Sequence, residues 1–123
     1  MFDKELVLNE LLNIETSINS ISKWTCDVKV ADDFALTQSG VILLNAVCMQ
    51  LIAIGEELKK IDKRTNKDFL KNYKDIDWQE IMKNRDFVAH HYFDIDFGIV
   101  FDTIKNDLPV LKKTILKMKN DLK

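Results

Sequence analysis

Glycine and proline are scarce in this 123-residue chain, which has three glycines and one proline. A β protein of this size needs many tight turns, and these residues are the usual choice for them, so their scarcity argues against a β architecture. The two cysteines, Cys26 and Cys48, do not have the spacing of a metal-ligand pair. We therefore predict no disulfide and a reducing compartment, as expected of a cytoplasmic protein.

The chain also lacks an excess of positive charge and an apolar run of membrane-spanning length. Its formal net charge is −2 and its pI about 5.7, so any contact with RNA or DNA must rely on a local basic patch or on an oligomer. The longest apolar run, residues 41–54, is interrupted by Asn45 and Gln50 and falls short of the roughly 20 residues of a membrane-spanning helix. The N-terminus lacks the basic segment that opens a secretory signal. We expect no membrane association.

Apolar residues at helical spacing are abundant. Hydrophobic residues make up 46% of the chain, enough for one core at this length, so we predict a single domain over residues 1–123. The spacing predicts a first helix over about residues 3–23 and a last helix over 97–122. Pro109 removes a backbone donor and predicts a kink or break in the last helix near residues 105–109. The predicted fold is all-α, an up-and-down bundle of four or five helices.

A long second helix is predicted for residues 34–61, capped by Asp32 or Asp33. Its central part is apolar on almost every side and must be covered, so we expect a partner subunit to cover some of it. Gly40 and Gly55 are predicted to mark close approaches or bends. The basic run that follows is either a solvated helix end or a phosphate-binding lip, and it comprises Lys59, Lys60, Lys63, Arg64 and Lys67.

A third helix is predicted to begin after Asp77, which would cap it together with Glu80. This helix carries Arg85 and both histidines of the chain, His90 and His91. Arg85 and His90 are five residues apart, and five steps of a regular helix rotate a side chain by about 140°. The two can therefore share a site only if the helix distorts near His90 or if two copies of the motif face each other.

These residue types suit the cleavage of RNA without a metal ion. Arg85 offers a planar set of donors to a phosphate. Histidine as a residue type exchanges protons near neutral pH, so it suits taking a proton from a ribose 2′-hydroxyl or giving one to the leaving oxygen, and His90 would have this part. Asp86 lies one helical turn before His90, where it could orient the imidazole and raise its pKa. DNA, which lacks the 2′-hydroxyl, would be inert.

Two other interpretations of this segment remain open from the residues alone. In the first, the charged residues make only packing and helix-end contacts, while Tyr92 and Phe93 close the core. In the second, zinc or manganese is bound, although adjacent histidines rarely face one ion. The candidate ligands in that case are His90, His91, Asp94 and Asp96.

The pattern Arg85-x4-His90-x-Tyr92 resembles the motif of HEPN-domain ribonuclease toxins. It is most similar to that of the HepT-like toxins, whose partner is an MntA-like minimal nucleotidyltransferase antitoxin. The resemblance extends over most of the chain, through Ile54-Gly55-Glu56-Glu57, Trp78 with Ile81 and Met82, and Asp107-Leu108-Pro109. It implies a HEPN-like helical bundle that forms a homodimer or a higher oligomer, with paired motifs lining a cleft between subunits.

The resemblance also implies a function and roles for residues. The chain would be the toxin of a type VII-like toxin–antitoxin pair and a metal-independent endoribonuclease that cleaves tRNA or mRNA without a cofactor. Arg85 and His90 would be catalytic, with Asp86 in the family's polar position after the arginine. Tyr92 matches the tyrosine to which the nucleotidyltransferase transfers AMP, silencing the toxin.

Two departures from the family pattern affect the implied site. Asp86 stands where asparagine is common, and its negative charge could weaken RNA binding. His91 stands where an acidic residue is common, and it offers a stand-in base. The alternative function is a non-catalytic helical module that dimerises and docks the nucleotidyltransferase.

Overall fold

In the computed structural model, which describes residues 2–123, the first helix (α1) spans Lys4–Trp24. It begins after Asp3, whose carboxylate accepts hydrogen bonds from the backbone N–H groups of Glu5 and Leu6 at 3.0 and 3.2 Å. Such a cap satisfies two of the amides that a helix start leaves free. Buried residues recur along α1 at alternating four- and three-residue steps, which gives the helix one apolar stripe, and they are Val7, Leu11, Ile14, Ile18 and Ile21.

The second helix, α2, spans Gln38–Arg64 and packs against α1 on one side and α3 (Trp78–His90) on the other. Its N-terminus is capped by Thr37, whose Oγ1 accepts a hydrogen bond from the Gly40 amide at 3.0 Å. Gly40 permits a close approach, because a Cβ there would overlap the backbone carbonyl oxygen of Asp33. The prediction that Gly40 marks such a contact is confirmed.

The predicted capping of α2 by Asp32 or Asp33 is wrong. Both residues lie in a separate 3₁₀ turn, Ala31–Phe34, that precedes the helix. The Asp33 carboxylate accepts hydrogen bonds from the amides of Lys29 and Val30 at 2.8 and 3.2 Å, which lowers its pKa. Because these local bonds occupy the carboxylate, the helix begins later and uses the next available hydroxyl.

The end of α2 carries two consecutive residues in the left-handed region, Asn66 (φ 53°) and Lys67 (φ 63°). The Lys67 amide donates to the Asp62 carbonyl at 2.8 Å and the Asn66 amide to the Lys63 carbonyl at 3.3 Å. This pair of bonds is the Schellman motif, which satisfies carbonyls left free at a helix end. Asparagine tolerates the left-handed region, whereas a lysine there costs about 1–2 kcal/mol.

The third helix, α3, begins after Asp77, whose Oδ1 accepts a hydrogen bond from the Glu80 amide at 3.1 Å, so this predicted cap is confirmed. It ends at His90, and a 3₁₀ turn, Tyr92–Asp94, follows. The last helical segment is interrupted, as predicted from Pro109. It comprises α4 (Phe97–Asp102), a π-helical turn (Thr103–Asp107) and α5 (Leu108–Leu122).

The π turn lies just before the proline and ends at Asp107. Across it, the Leu108 amide donates to the Thr103 carbonyl, a five-residue step. Pro109 then lies in the first turn of α5, where a missing N–H costs little. The architecture is an all-α helical bundle, with no strand in the part of the chain from residue 2 to residue 123.

The core lies between α1, α2 and α5, and only part of α2 contributes to it. Val47, Ile54 and Leu58 are fully or almost fully buried, whereas Ile42 and Met49 are 62% and 63% exposed. By length and hydropathy alone α2 could also span a membrane, a criterion that core helices of soluble proteins meet as well. In this structure it packs on α1 and α3 and leaves one apolar face uncovered.

Candidate active site

Arg85 lies at a close contact between α3 and α2. A Cβ added at Gly55 would overlap the Arg85 Cβ and lie 2.5 Å from its Cγ, so only glycine lets the arginine stem lie flat against α2. The arginine side chain is only 19% exposed. Gly55 thus marks a close helix–helix approach, as predicted, and this approach fixes the position of the guanidinium.

Carboxylates from two helices hold the Arg85 guanidinium. One terminal nitrogen forms an ion pair with Glu56 of α2, and the other donates to Asp86 Oδ1 at 2.8 Å. The same Asp86 oxygen accepts a hydrogen bond from Lys59 Nζ at 2.6 Å. These bonds from Lys59 and Arg85 lower the pKa of Asp86. A chain of alternating charges therefore crosses the α2–α3 contact.

His90 is not part of this chain of charges. It is exposed at the last position of a regular α-helix, so its side chain leaves α3 about 140° away from that of Arg85. Of the two arrangements that would allow a shared site, a helix distortion near His90 does not occur. A single chain therefore does not bring the imidazole and the guanidinium to one phosphate.

The predicted pairing of Asp86 with His90 is also wrong for this chain. In residues 2–123 the Asp86 carboxylate contacts Lys59 and Arg85 instead. The Lys59 ammonium and the Arg85 guanidinium, at 2.6 and 2.8 Å, form strong charge-assisted hydrogen bonds with this carboxylate. Asp86 consequently positions the arginine rather than orienting the histidine.

Aromatic rings surround the end of α3 and remain accessible. The rings of Phe87 and His91 stack with centroids 4.9 Å apart, and those of Tyr92 and Phe93 meet edge to face at 5.3 Å. Tyr92 is 47% and Phe93 96% exposed. The interpretation in which these two residues close the core is therefore wrong. The phenol ring of Tyr92 is accessible from outside the chain.

The second interpretation, in which zinc or manganese is bound, requires side chains that come together as metal ligands. Between residues 2 and 123, no three side chains of the types His, Cys, Asp and Glu come together as metal ligands would. Of the proposed set, His90 ends α3, His91 and Asp94 lie at the 3₁₀ turn after it, and Asp96 caps α4 by accepting hydrogen bonds from the Gly98 and Ile99 amides.

The model of the family described as "Ribonuclease HepT-like" matches residues 14–118. This chain belongs to the HepT-like family. The HepT-like match includes α2, α3 and the motif, and with them the contact that holds Arg85 against Gly55. The resemblance of the motif and the neighbouring segments to the HepT-like family is thereby confirmed.

Curated relatives agree with the HepT-like assignment. The chain is 33% identical, over 98% of its length, to a "Gamma-glutamylcyclotransferase and putative RNase" of Methanocaldococcus jannaschii, and it spans 49% of that protein. It is 29% identical to a "Putative RNase" of the same archaeon, over 85% of this chain and 89% of the relative. A "Probable ribonuclease HepT" of Thermococcus cleftensis is 35% identical over 60% of this chain and 64% of its own length. No solved structure matches this HepT-like chain.

Two residues of this HepT-like site were not predicted to belong to it. Glu56 lies in the segment Ile54-Gly55-Glu56-Glu57, and Lys59 lies in the basic run after it. Their distance from Gly55 in the sequence is the feature that could have indicated them. Both follow Gly55 within about one turn of α2, so they lie near the helix that contacts this glycine. Their contacts with α3 depend on tertiary packing, which residue spacing within one helix does not specify.

Proposed function

We propose that this chain is a metal-independent endoribonuclease, the toxin of a type VII-like toxin–antitoxin pair, with an active site assembled from two copies. The observation that supports it most directly is the separation of Arg85 from His90. The guanidinium is fixed against α2, whereas the imidazole projects freely from the end of the same helix. A second copy related by two-fold symmetry would supply the missing group to each site.

The uncovered face of α2 is suited to hold that second copy. Ile42, Met49, Glu56 and Lys63 follow one another at steps of seven residues, and seven residues return a helix to within about 20° of the same direction. The first two are exposed and apolar, and the third is the partner of Arg85. A dimer that buries the apolar half of this line would therefore end beside the guanidinium.

Such a site supports cleavage of an RNA phosphodiester bond by the adjacent ribose 2′-hydroxyl. His90 accepts the proton of a ribose 2′-hydroxyl, the 2′-oxygen bonds to the adjacent phosphorus, and the bond from phosphorus to the 5′-oxygen breaks, leaving a 2′,3′-cyclic phosphate. Arg85 stabilises the charge that develops on the phosphate oxygens. The His90 imidazolium formed in this step then gives its proton to the leaving 5′-oxygen, and His91 is a stand-in for it.

Incubating the purified chain with total RNA in EDTA tests the proposal. We expect endonucleolytic fragments that carry 2′,3′-cyclic phosphate ends, with no effect of the chelator, and no cleavage of single-stranded DNA of matched length. If the chain binds RNA but leaves it intact under all metal conditions, it acts as a binding module instead. Cleavage that EDTA abolishes would contradict the metal-independent mechanism.

Silencing by AMP transfer to Tyr92 is the regulatory part of the proposal. The accessible phenol would attack the α-phosphate of ATP in the nucleotidyltransferase and displace pyrophosphate, which leaves a bulky anion beside the motif. After co-expression with a cognate MntA-like nucleotidyltransferase, we expect the intact mass of the chain to rise by whole AMP units. Tyr92→Phe should abolish the shift.

Tyr73 provides the matched control for this mass measurement. It is the only other tyrosine, and its hydroxyl donates a 2.7 Å hydrogen bond to Asp121, away from the motif. Tyr73→Phe should leave the mass shift intact. A silenced chain of unmodified mass would contradict AMP transfer and indicate inhibition by binding.

A further inference from the structure

A groove opens beside the Arg85 site at the end of α2. Its volume is about 420 Å3, and its walls are Lys59, Asp62, Lys63, Asn66, Lys67 and Met82. Lys59 belongs both to this groove and to the site, because its ammonium group contacts the Asp86 carboxylate that also binds Arg85. The groove is therefore continuous with the arginine and its partners.

The two outer lysines of the groove, Lys63 and Lys67, form no ion pair with a carboxylate in the part of the chain that the structure describes. Lys60 pairs with Glu57 at 3.7 Å and Arg64 with the buried Glu10 at 2.9 Å, whereas within residues 2–123 Lys63 and Lys67 have no carboxylate oxygen within 4 Å. Asp62 lies on the same groove and offsets part of their charge. In a chain of net charge −2, this is a local cationic surface.

The backbone at Lys67 points to a role for its side chain. Lys67 occupies the left-handed region, where glycine would be relaxed and a residue with a Cβ is strained. The side chain of Lys67 lines the groove just after α2 ends. A positively charged side chain that is needed at residue 67 would explain why a lysine, and not a glycine, occupies this strained backbone position.

We infer that Lys59, Lys63 and Lys67 form a track that binds the phosphates of single-stranded RNA next to the phosphate cleaved at Arg85. The inference rests on the proposed ribonuclease function and adds where the substrate backbone runs. The three lysines are spaced four residues apart, and Lys59 and Lys63 are separated by about 6 Å of rise along α2, close to the spacing of successive phosphates in an extended strand. Met82, the apolar wall, would contact a sugar or base rather than a phosphate.

Binding of an uncleavable strand tests the track separately from catalysis. The probe is a 2′-O-methyl single-stranded oligonucleotide of about 12 nucleotides, within the range of known single-strand sites. For Lys63→Gln/Lys67→Gln we expect about a tenfold loss of affinity and a decrease of about 1.4 in the slope of log affinity against log salt, from two lost phosphate contacts. Lys113→Gln/Lys117→Gln, with the same charge change and spacing on α5, should leave the slope unchanged.

A glycine variant separates charge from folding. Lys67→Gly removes one phosphate contact and relaxes the left-handed backbone, so we expect a slope decrease of about 0.7 with an unchanged or higher Tm. Lys67→Arg should retain wild-type binding. If Lys67→Gly and the glutamine pair both bind like the wild type, or if the wild type binds no oligonucleotide, the track is overturned.

The two proposals fail in different ways in this experiment. If the chain cleaves total RNA while the slope is insensitive to Lys63 and Lys67, the track is wrong and the ribonuclease stands. If the slope decreases as expected but no RNA is cleaved, the phosphate track stands and the catalytic proposal is wrong.

Discussion

Alanine in place of either Arg85 or His90 is expected to lower the rate of RNA cleavage by about 10²–10⁴-fold. Loss of the guanidinium removes the stabilisation of charge on the phosphate, and loss of the imidazole removes proton transfer. The readout is the initial rate on total RNA, with thermal unfolding showing that each variant is folded. His90 is exposed, so His90→Ala should unfold at the wild-type temperature.

His91 provides the internal comparison for this pair of variants. Its ring is stacked on Phe87, which restrains it, so His91→Ala should have a much smaller effect on the rate than His90→Ala. The double variant His90→Ala/His91→Ala should remove any activity that His91 supplies as a stand-in base. A large loss in His91→Ala with none in His90→Ala would show that His91, and not His90, transfers the proton.

Gly55→Ala is expected to cost about 2–3 kcal/mol of unfolding free energy and most of the cleavage activity. The added methyl group would occupy the space of the Arg85 Cβ and Cγ, so α2 and α3 must separate or the arginine must leave its carboxylates. Chemical denaturation measures the first effect and the rate on total RNA the second. The arginine stem, unlike the far end of a flexible side chain, has little freedom to yield.

Gly98→Ala is the matched control for that substitution. A Cβ at Gly98 would lie 3.0 Å from a carboxylate oxygen of Asp96, and no other contact would form within 4 Å. Because alanine is also the better helix former, we expect stability within about 1 kcal/mol of the wild type and normal cleavage. Equal behaviour of the two alanine variants would show that the approach at Gly55 does not position Arg85.

Local features of this fold could be predicted from the sequence because they depend on neighbours in the chain. The four- and three-residue spacing of Val7, Leu11 and Ile14 places them on one stripe whatever they pack against. The interruption before Pro109 follows from its missing N–H, although the spacing did not indicate that a π turn would absorb it. The apolar excess of α2 correctly indicated a helix that its own chain does not cover.

Contacts between helices could not be predicted in the same way. Asp33 bonds to the amides of Lys29 and Val30 because a four-residue 3₁₀ turn competes with a helix start for the same carboxylate. Asp86 likewise bonds to Lys59, 27 positions away, rather than to His90 four positions away. Such a choice depends on how α2 and α3 are oriented, and no spacing within α3 contains that information.

Mixing Arg85→Ala chains with His90→Ala chains tests most directly whether two copies build each site. If Arg85 of one copy acts with His90 of the other, each mixed dimer has one intact site and one doubly defective site, while neither parent has any. Random exchange makes half of the dimers mixed, so the mixture should regain about a quarter of wild-type activity. Native mass spectrometry of chains of different mass confirms that exchange has occurred. A fully exchanged mixture no more active than its parents would contradict the account.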